Sequence, residues 1–326
     1  MNAILAVTVP FFALVLAGYL AAWRQVLPES AIPGLNAFVL YFALPCMLFR
    51  FGAGMPVLEL LNPGVLLVYT VAQVLIVFFT VAVSLGERIG LRDAAFGAMA
   101  ASFPNTGFMG VPLLAAMLGA PATGPIISCI LADQFVTSSL CLALAQFSHG
   151  GGAGDRHAAL AAALRALRGA LANPLPWAIA LGALFSGLGI RLGGPLDTVV
   201  RMLADAASPV ALFTIGAVLW RARRHAHTRT PAADYVPVAL IKLFVHPLLV
   251  LALALAARAL GVPINAFTIM VLTLGAALPS ASSVSMLAEQ YGADNGRVAR
   301  IIMTSTVLAF VTFTALAWAF GVRPIE

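Results

Sequence analysis

Apolar residues in this chain gather into runs of about the length that crosses a bilayer core, separated by short polar stretches. With a window of about 20 residues, ten such runs stand out, at 4–23, 35–51, 65–85, 94–117, 125–147, 175–192, 202–220, 236–260, 267–287 and 298–320. Each is predicted to be a membrane-spanning helix. The longest polar stretch, 148–173, opens on Gly150, Gly151 and Gly152 and continues Ala- and Arg-rich over 158–172. It separates five runs from five and reads as a cytoplasmic linker, a turn followed by a surface-lying helix. The expected organisation is a first five-helix repeat over 1–147, the linker, and a second repeat over 174–326.

Two of the runs are broken at matching places. The fourth contains Phe103-Pro104-Asn105-Thr106-Gly107, and the ninth contains Leu278-Pro279-Ser280-Ala281-Ser282-Ser283. In both, small residues lead to a bulky apolar residue, a proline and short polar side chains. Proline removes a backbone donor and clashes with the preceding turn, so each run should split into two half-helices. Non-helical backbone is tolerated at membrane depth only where it is buried in protein or lines a cavity. Paired breaks of this kind mark the binding sites of secondary transporters. Asn105 and Ser280 are placed to cap the second half-helices, and the exposed amides with the positive end of the helix dipole make an anion site. Gly107 and Gly110 let the backbone open or approach a ligand. The bland alternative is a pair of ordinary proline kinks.

The halves also match at Pro45 and Pro209, each inside the second run of its half. Fifty-nine residues separate Pro45 from Pro104 and 70 separate Pro209 from Pro279, the polar loop 221–234 absorbing the difference. Five spans are an odd number, so the second repeat re-enters from the opposite side and the repeat is inverted.

Composition removes other classes. Of 326 residues, 62% are hydrophobic and 9% charged, against roughly 25% charged in soluble domains, so the chain is an integral membrane protein. Cys46, Cys129 and Cys141 lie in apolar runs and read as packing residues rather than disulfide partners. The net charge of +6 comes from arginines between the apolar runs, with no aromatic-interleaved basic patch, so no nucleic-acid partner is expected. The first run lacks a basic leader and reads as a first transmembrane helix rather than a cleaved signal. With the N-terminus outside, twelve arginines fall on the cytoplasmic side and five opposite. The positive-inside rule therefore puts both termini outside, and the expected location is the inner membrane of a bacterium.

Polar residues at membrane depth need a reason. Asp133, next to Gln134 in the fifth run, reads as a coupling or gating residue taking up H+ or Na+; the alternative is a buried packing contact. Lys242, the only lysine in the chain, pairs with Asp133, meets a substrate carboxylate, or snorkels to the interface. His246, one turn on, is either a proton relay or a packing residue. Gln73 lines the cavity or bonds a backbone carbonyl. No His/Cys/Asp/Glu spacing, His225 and His227 included, makes a metal site, and no cofactor is expected. No phosphate-binding Gly-Lys-Ser/Thr loop, His-Glu-x-x-His stretch or Gly-x-Ser-x-Gly elbow occurs, so no enzyme is expected.

The segment Phe103-Pro-Asn-Thr-Gly-Phe-Met-Gly-Val-Pro-Leu113 resembles the signature of the auxin efflux carrier family, which includes plant auxin exporters and bacterial malonate and malate carriers. Val9-Pro-Phe-Phe-Ala-Leu14, Leu44-Pro-Cys-Met-Leu-Phe49, Lys242-Leu-Phe-Val-His-Pro247 and Ala288-Glu-Gln-Tyr-Gly292 are similar to family segments too. The resemblance implies an all-α, ten-helix inverted-repeat carrier of the NhaA-like and bile-acid-symporter-like type, with helices 4 and 9 broken and crossing. Helices 1, 2, 6 and 7 would form a scaffold, usually dimeric, and helices 3–5 and 8–10 a moving transport domain. Many members carry an Asn in or just after the second break, where this chain has Ser280, Ser282 and Ser283, and the long loop of plant exporters is absent. The reading is a bacterial-type carrier of small mono- or dicarboxylates such as malonate or malate. Substrate contacts are expected from Pro104, Asn105, Thr106, Gly107, Pro279, Ser280, Ser282 and Ser283. An auxin-like aromatic carboxylate exporter and a non-transporting sensor are the alternatives.

Overall fold

The computed structural model describes residues 2–56, 62–147, 168, 171–224 and 230–324. Most of the expected linker 148–173, together with His225 and His227, falls outside them. The described chain is helical, in the order α1 (Asn2–Trp23), α2 (Glu29–Ala53), α3 (Pro63–Ser84), α4 (Leu91–Ser102), α5 (Thr106–Leu118) and α6 (Ala120–Phe147). There follow α7 (Pro174–Gly187), α8 (Gly194–Arg224), α9 (Ala232–Ala259), α10 (Ala266–Ala276), α11 (Ser283–Gln290) and α12 (Asn295–Ala319).

Seven of these helices, α1, α2, α3, α6, α8, α9 and α12, are long and apolar enough to cross a membrane. The fourth and ninth runs are each a pair of shorter helices, α4 with α5 and α10 with α11. The sixth run is shorter than expected. Helix α7 has 14 residues, about 21 Å at 1.5 Å per residue, less than the roughly 30 Å hydrocarbon core. It stops because Gly189 takes a left-handed conformation (φ 65°) and the Ile190 amide closes back on Phe185 O at 2.9 Å, a glycine-terminated helix end.

Helix α1 packs mainly on α8, and α2 on α7 and α8, forming one group. A second group joins α3 to α4 and α9, α4 to α6, and α9 to α10 and α12. Glycines set the closest approaches in the first group. A Cβ on Gly18 would lie 1.8 Å from Phe213 O, and one on Gly216 equally close to Val15 O, so the backbones of α1 and α8 touch. Gly52 and Gly182 bring α2 and α7 together in the same way. Gly52 lies seven positions after Pro45, and Gly216 seven after Pro209, so the proline match read from the sequence extends to packing. A Gly216→Ala protein should lose about 1–3 kcal/mol from overpacking. The check is a lowered thermal midpoint in detergent; an unchanged midpoint would mean that α1 and α8 do not touch there.

Four wide, π-helical turns interrupt the helices, at Val39–Ala43, Thr106–Gly110, Asp133–Thr137 and Ile241–Val245. Three of them end two residues before a proline: Pro45, Pro112 and Pro247. Each proline lacks an N–H for the carbonyl four residues back, and its ring crowds that carbonyl. In all three cases the crowded carbonyl lies inside the wide turn, which gives the displaced backbone room. Such turns concentrate at functional sites, and three of the four carry Thr106, Asp133 and Lys242.

Candidate functional site

The two broken runs meet back to back. Pro104 and Ser280 form an isolated antiparallel bridge: the Asn105 amide donates to Pro279 O at 2.9 Å, and the Ala281 amide donates to Phe103 O at 3.0 Å. Each break thus satisfies backbone groups of the other, which is how unwound chain is held in an apolar interior.

Buried side chains close the first half-helices. Gln73, on α3, donates from Nε2 to Ser102 O, the end of α4, at 2.7 Å. Lys242, on α9, donates from Nζ to Ala276 O, the end of α10, at 2.5 Å. Each stands eleven positions past the N-cap of its own helix, Asn62 and Pro231. A cation on the last carbonyls of a helix also meets the negative end of its dipole. Lys242 is fully buried, so it does not snorkel to an interface.

The second half-helices are not capped as expected. Asn105 occupies the N-cap position of α5, yet its side chain accepts no amide bond; its Oδ1 is buried and unpartnered. Instead its backbone carbonyl accepts from Met109 N (3.1 Å) and Gly110 N (2.9 Å), which makes the wide turn. Ser282 rather than Ser280 holds the N-cap position of α11, also without a side-chain bond. Both corrections have one cause: the bridge holds the chain one residue beyond Pro104 and two beyond Pro279, so the helices restart too late or too wide for the expected caps. The first amides of α5 and α11 lack acceptors within their own helices, as at any helix start.

Ser280 is engaged within the protein. Its hydroxyl donates to Ala100 O at 2.6 Å and its amide to Ser305 Oγ at 3.2 Å. The Ser282 and Ser283 hydroxyls and the Asn105 carboxamide make no hydrogen bond within the described protein. Phe103, Gly107, Phe108 and Ser283 are half-buried, and a Cβ on Gly107 would meet nothing within 4 Å. The crossing therefore has an open side at the start of α5.

Behind the crossing lies a continuous polar chain. The fully buried Asp133 carboxylate receives a short hydrogen bond from Gln73 Nε2, accepts from Tyr69 Oη at 3.4 Å, and is reached by the Thr106 hydroxyl. The Tyr69 ring lies 6.3 Å from that of His246, and His246 Nδ1 is 3.0 Å from Lys242 Nζ. Of the alternatives read for Lys242, pairing with Asp133 takes the form of an electrostatic interaction without a direct ion pair. The Tyr69 and His246 rings meet as a tilted pair, and His246 Nε2 is buried without a partner. Gln134 is half-buried and stands outside this network. Tyr69 and Ser305 were missed in the sequence reading. Tyr69 precedes Gln73 by one turn on an otherwise apolar helix, and Ser305 sits in the polar run Thr304-Ser305-Thr306; both patterns were available signals. Among the described residues no group of His, Cys, Asp or Glu could hold a metal ion.

A helical protein with this many apolar spans and two interlocked helix breaks is a multi-pass membrane transport protein. A family profile described as "Membrane transport protein" matches residues 3–317, and the chain belongs to that family, the auxin efflux carrier family resembled by the Phe103–Leu113 signature. The chain is 29% identical over 320 residues to a protein of Rhizobium meliloti named "Putative malonate transporter", covering 98% of this chain and 96% of that protein. It is 28% identical to an uncharacterized transporter of Methanothermobacter thermautotrophicus, covering 92% of each chain. It is 26% identical to the uncharacterized transporter YfdV of Escherichia coli K12, covering 97% of each.

Proposed function

We propose that this protein carries small organic anions, mono- or dicarboxylates such as malonate or malate, across the bacterial inner membrane by alternating access. The substrate sits at the crossing of the two broken helices. The observation that carries the reading is the Pro104–Ser280 bridge, which brings the starts of α5 and α11 together at the crossing. Two positive helix ends with neutral donors beside them suit a carboxylate. Asn105, Thr106, Gly107, Ser282 and Ser283 are the proposed contacts, with Pro104, Pro279 and Ser280 shaping the backbone that presents them. The name of the R. meliloti relative, "Putative malonate transporter", favours malonate among the dicarboxylates.

In this reading the ten spans form two inverted five-helix repeats, 1–147 and 174–326. Support comes from the matched prolines, the matched glycines, and Gln73 and Lys242 in matching roles. The group α1, α2, α7 and α8 is the scaffold, paired with that of a second copy in a homodimer, and α3–α6 with α9–α12 move as the transport domain. Asp133, with Gln134, Lys242 and His246 nearby, couples movement to H+ or Na+, and both chain ends face outward. An aromatic carboxylate exporter or a sensor on the same fold predicts the same crossing. Uptake of labelled malonate into proteoliposomes, set beside binding in detergent, separates carrier from sensor.

The proposed contacts have a direct test. Removing one neutral hydrogen bond costs about 1 kcal/mol, so Asn105→Ala should weaken malonate binding roughly fivefold or more while the protein stays folded. Isothermal titration or a thermal-shift series reads this, and unchanged affinity in a folded variant would remove Asn105 from the site.

A further inference from the structure

At the ends of α1 and α8, far along the chain from the crossing residues, a second polar construction stands outside the transport reading. A cavity of about 270 Å³ is lined by Tyr19, Trp23, Trp220, Arg223 and Arg224. Arg223 Nη1 donates to Tyr19 Oη at 2.8 Å. The Arg224 guanidinium lies 5.3 Å from the Trp220 ring centroid, and that of Arg24 lies 5.0 Å from the Trp23 ring. Among the described residues, Glu29 is the acid paired with this end, its carboxylate 3.5 Å from Arg221 and 3.6 Å from Arg224. The cavity's own lining holds Arg223 and Arg224 and no acid, so it is positive. A neighbouring cavity of about 210 Å³ shares Arg223 and is bounded by Ala299, Arg300 and Met303 of α12.

We infer that this cavity binds the headgroup phosphate of an anionic phospholipid. Three features of the site agree on that ligand. Guanidinium forks match phosphate oxygens in pairs. Tyr and Trp side chains collect at the depth where headgroups lie. Leu20 and Leu16, one and two turns before Trp23 on α1, are exposed and offer an apolar track for an acyl chain. Basic pockets between membrane helices on the cytoplasmic side take anionic headgroups, and the arginine count places this end on that side.

The test uses the full chain in neutral phosphatidylcholine nanodiscs doped with brominated phosphatidylglycerol or, separately, brominated phosphatidylcholine. Bromines quench tryptophan at short range, so the phosphatidylglycerol form should quench more at equal doping. That excess should vanish in a Trp23→Phe/Trp220→Phe protein. Each basic side chain contributes roughly a fivefold preference for an anionic surface, so Arg223→Gln and Arg224→Gln should each reduce the preference by about that factor. Equal quenching by the two lipids in the unmodified protein, or an unreduced preference in the Arg223→Gln/Arg224→Gln protein, would overturn the inference. Loss of the excess on adding inorganic phosphate would assign the pocket to a soluble anion and overturn the lipid.

Discussion

Asp133→Asn is expected to abolish the pH dependence of substrate accumulation while sparing substrate exchange. The change keeps the size of the side chain and an oxygen to accept from Tyr69 or Gln73, but removes the one carboxylate in this buried network. In proteoliposomes, an imposed proton gradient should drive malonate accumulation by the unmodified protein and not by the variant, whereas counterflow of labelled against unlabelled malonate should persist in both. Sodium coupling at the same carboxylate would show as dependence on a sodium gradient instead. If transport by the unmodified protein is flat from mildly acidic to mildly alkaline pH and the variant transports normally, Asp133 only packs and the coupling role is wrong.

Lys242→Gln should produce the second large effect. It withdraws the cation from Ala276 O and from His246 Nδ1, both at a fully buried side chain. Stranding a buried partner costs about 1–3 kcal/mol, and the loss of positive charge beside the crossing weakens attraction for the anion. Coulomb energy scales with ligand charge, so affinity for a dicarboxylate should fall more than for a monocarboxylate. An expected loss of about tenfold for malonate corresponds to about 1.4 kcal/mol. Equal losses for mono- and dianions would show that Lys242 serves the end of α10 alone and contributes no charge to the site.

Much of the architecture was legible because the membrane imposes strong rules on sequence. Runs of apolar residues must be helical, since no other local backbone satisfies itself in lipid; hence the long spans, and the breaks at Pro104 and Pro279, appear where the pattern placed them. The buried polar residues Asp133, Lys242 and His246 stood out for the same reason, each being costly to leave in an apolar run. What failed were inferences that needed a third dimension. The caps assigned to Asn105 and Ser280 depend on where each helix restarts, and the backbone bridge between the two breaks decides that. Which partner Lys242 takes was also left open by the sequence: it attracts Asp133 without a direct ion pair and bonds Ala276 O and His246.

By itself, then, the amino-acid sequence determined the membrane class, the helical runs, the two breaks, the family, and which polar residues had to be explained, because desolvation acts on each residue wherever it lies in the fold. The tertiary structure decided who meets whom. It put Gln73 and Lys242 at the ends of α4 and α10, committed Ser280 to Ala100 and Ser305, and left Asn105, Ser282 and Ser283 free at the open side of the crossing. Hydrogen bonds and close charge pairs act over a few ångströms, and such distances between residues 25 to 180 positions apart exist only after the helices have packed.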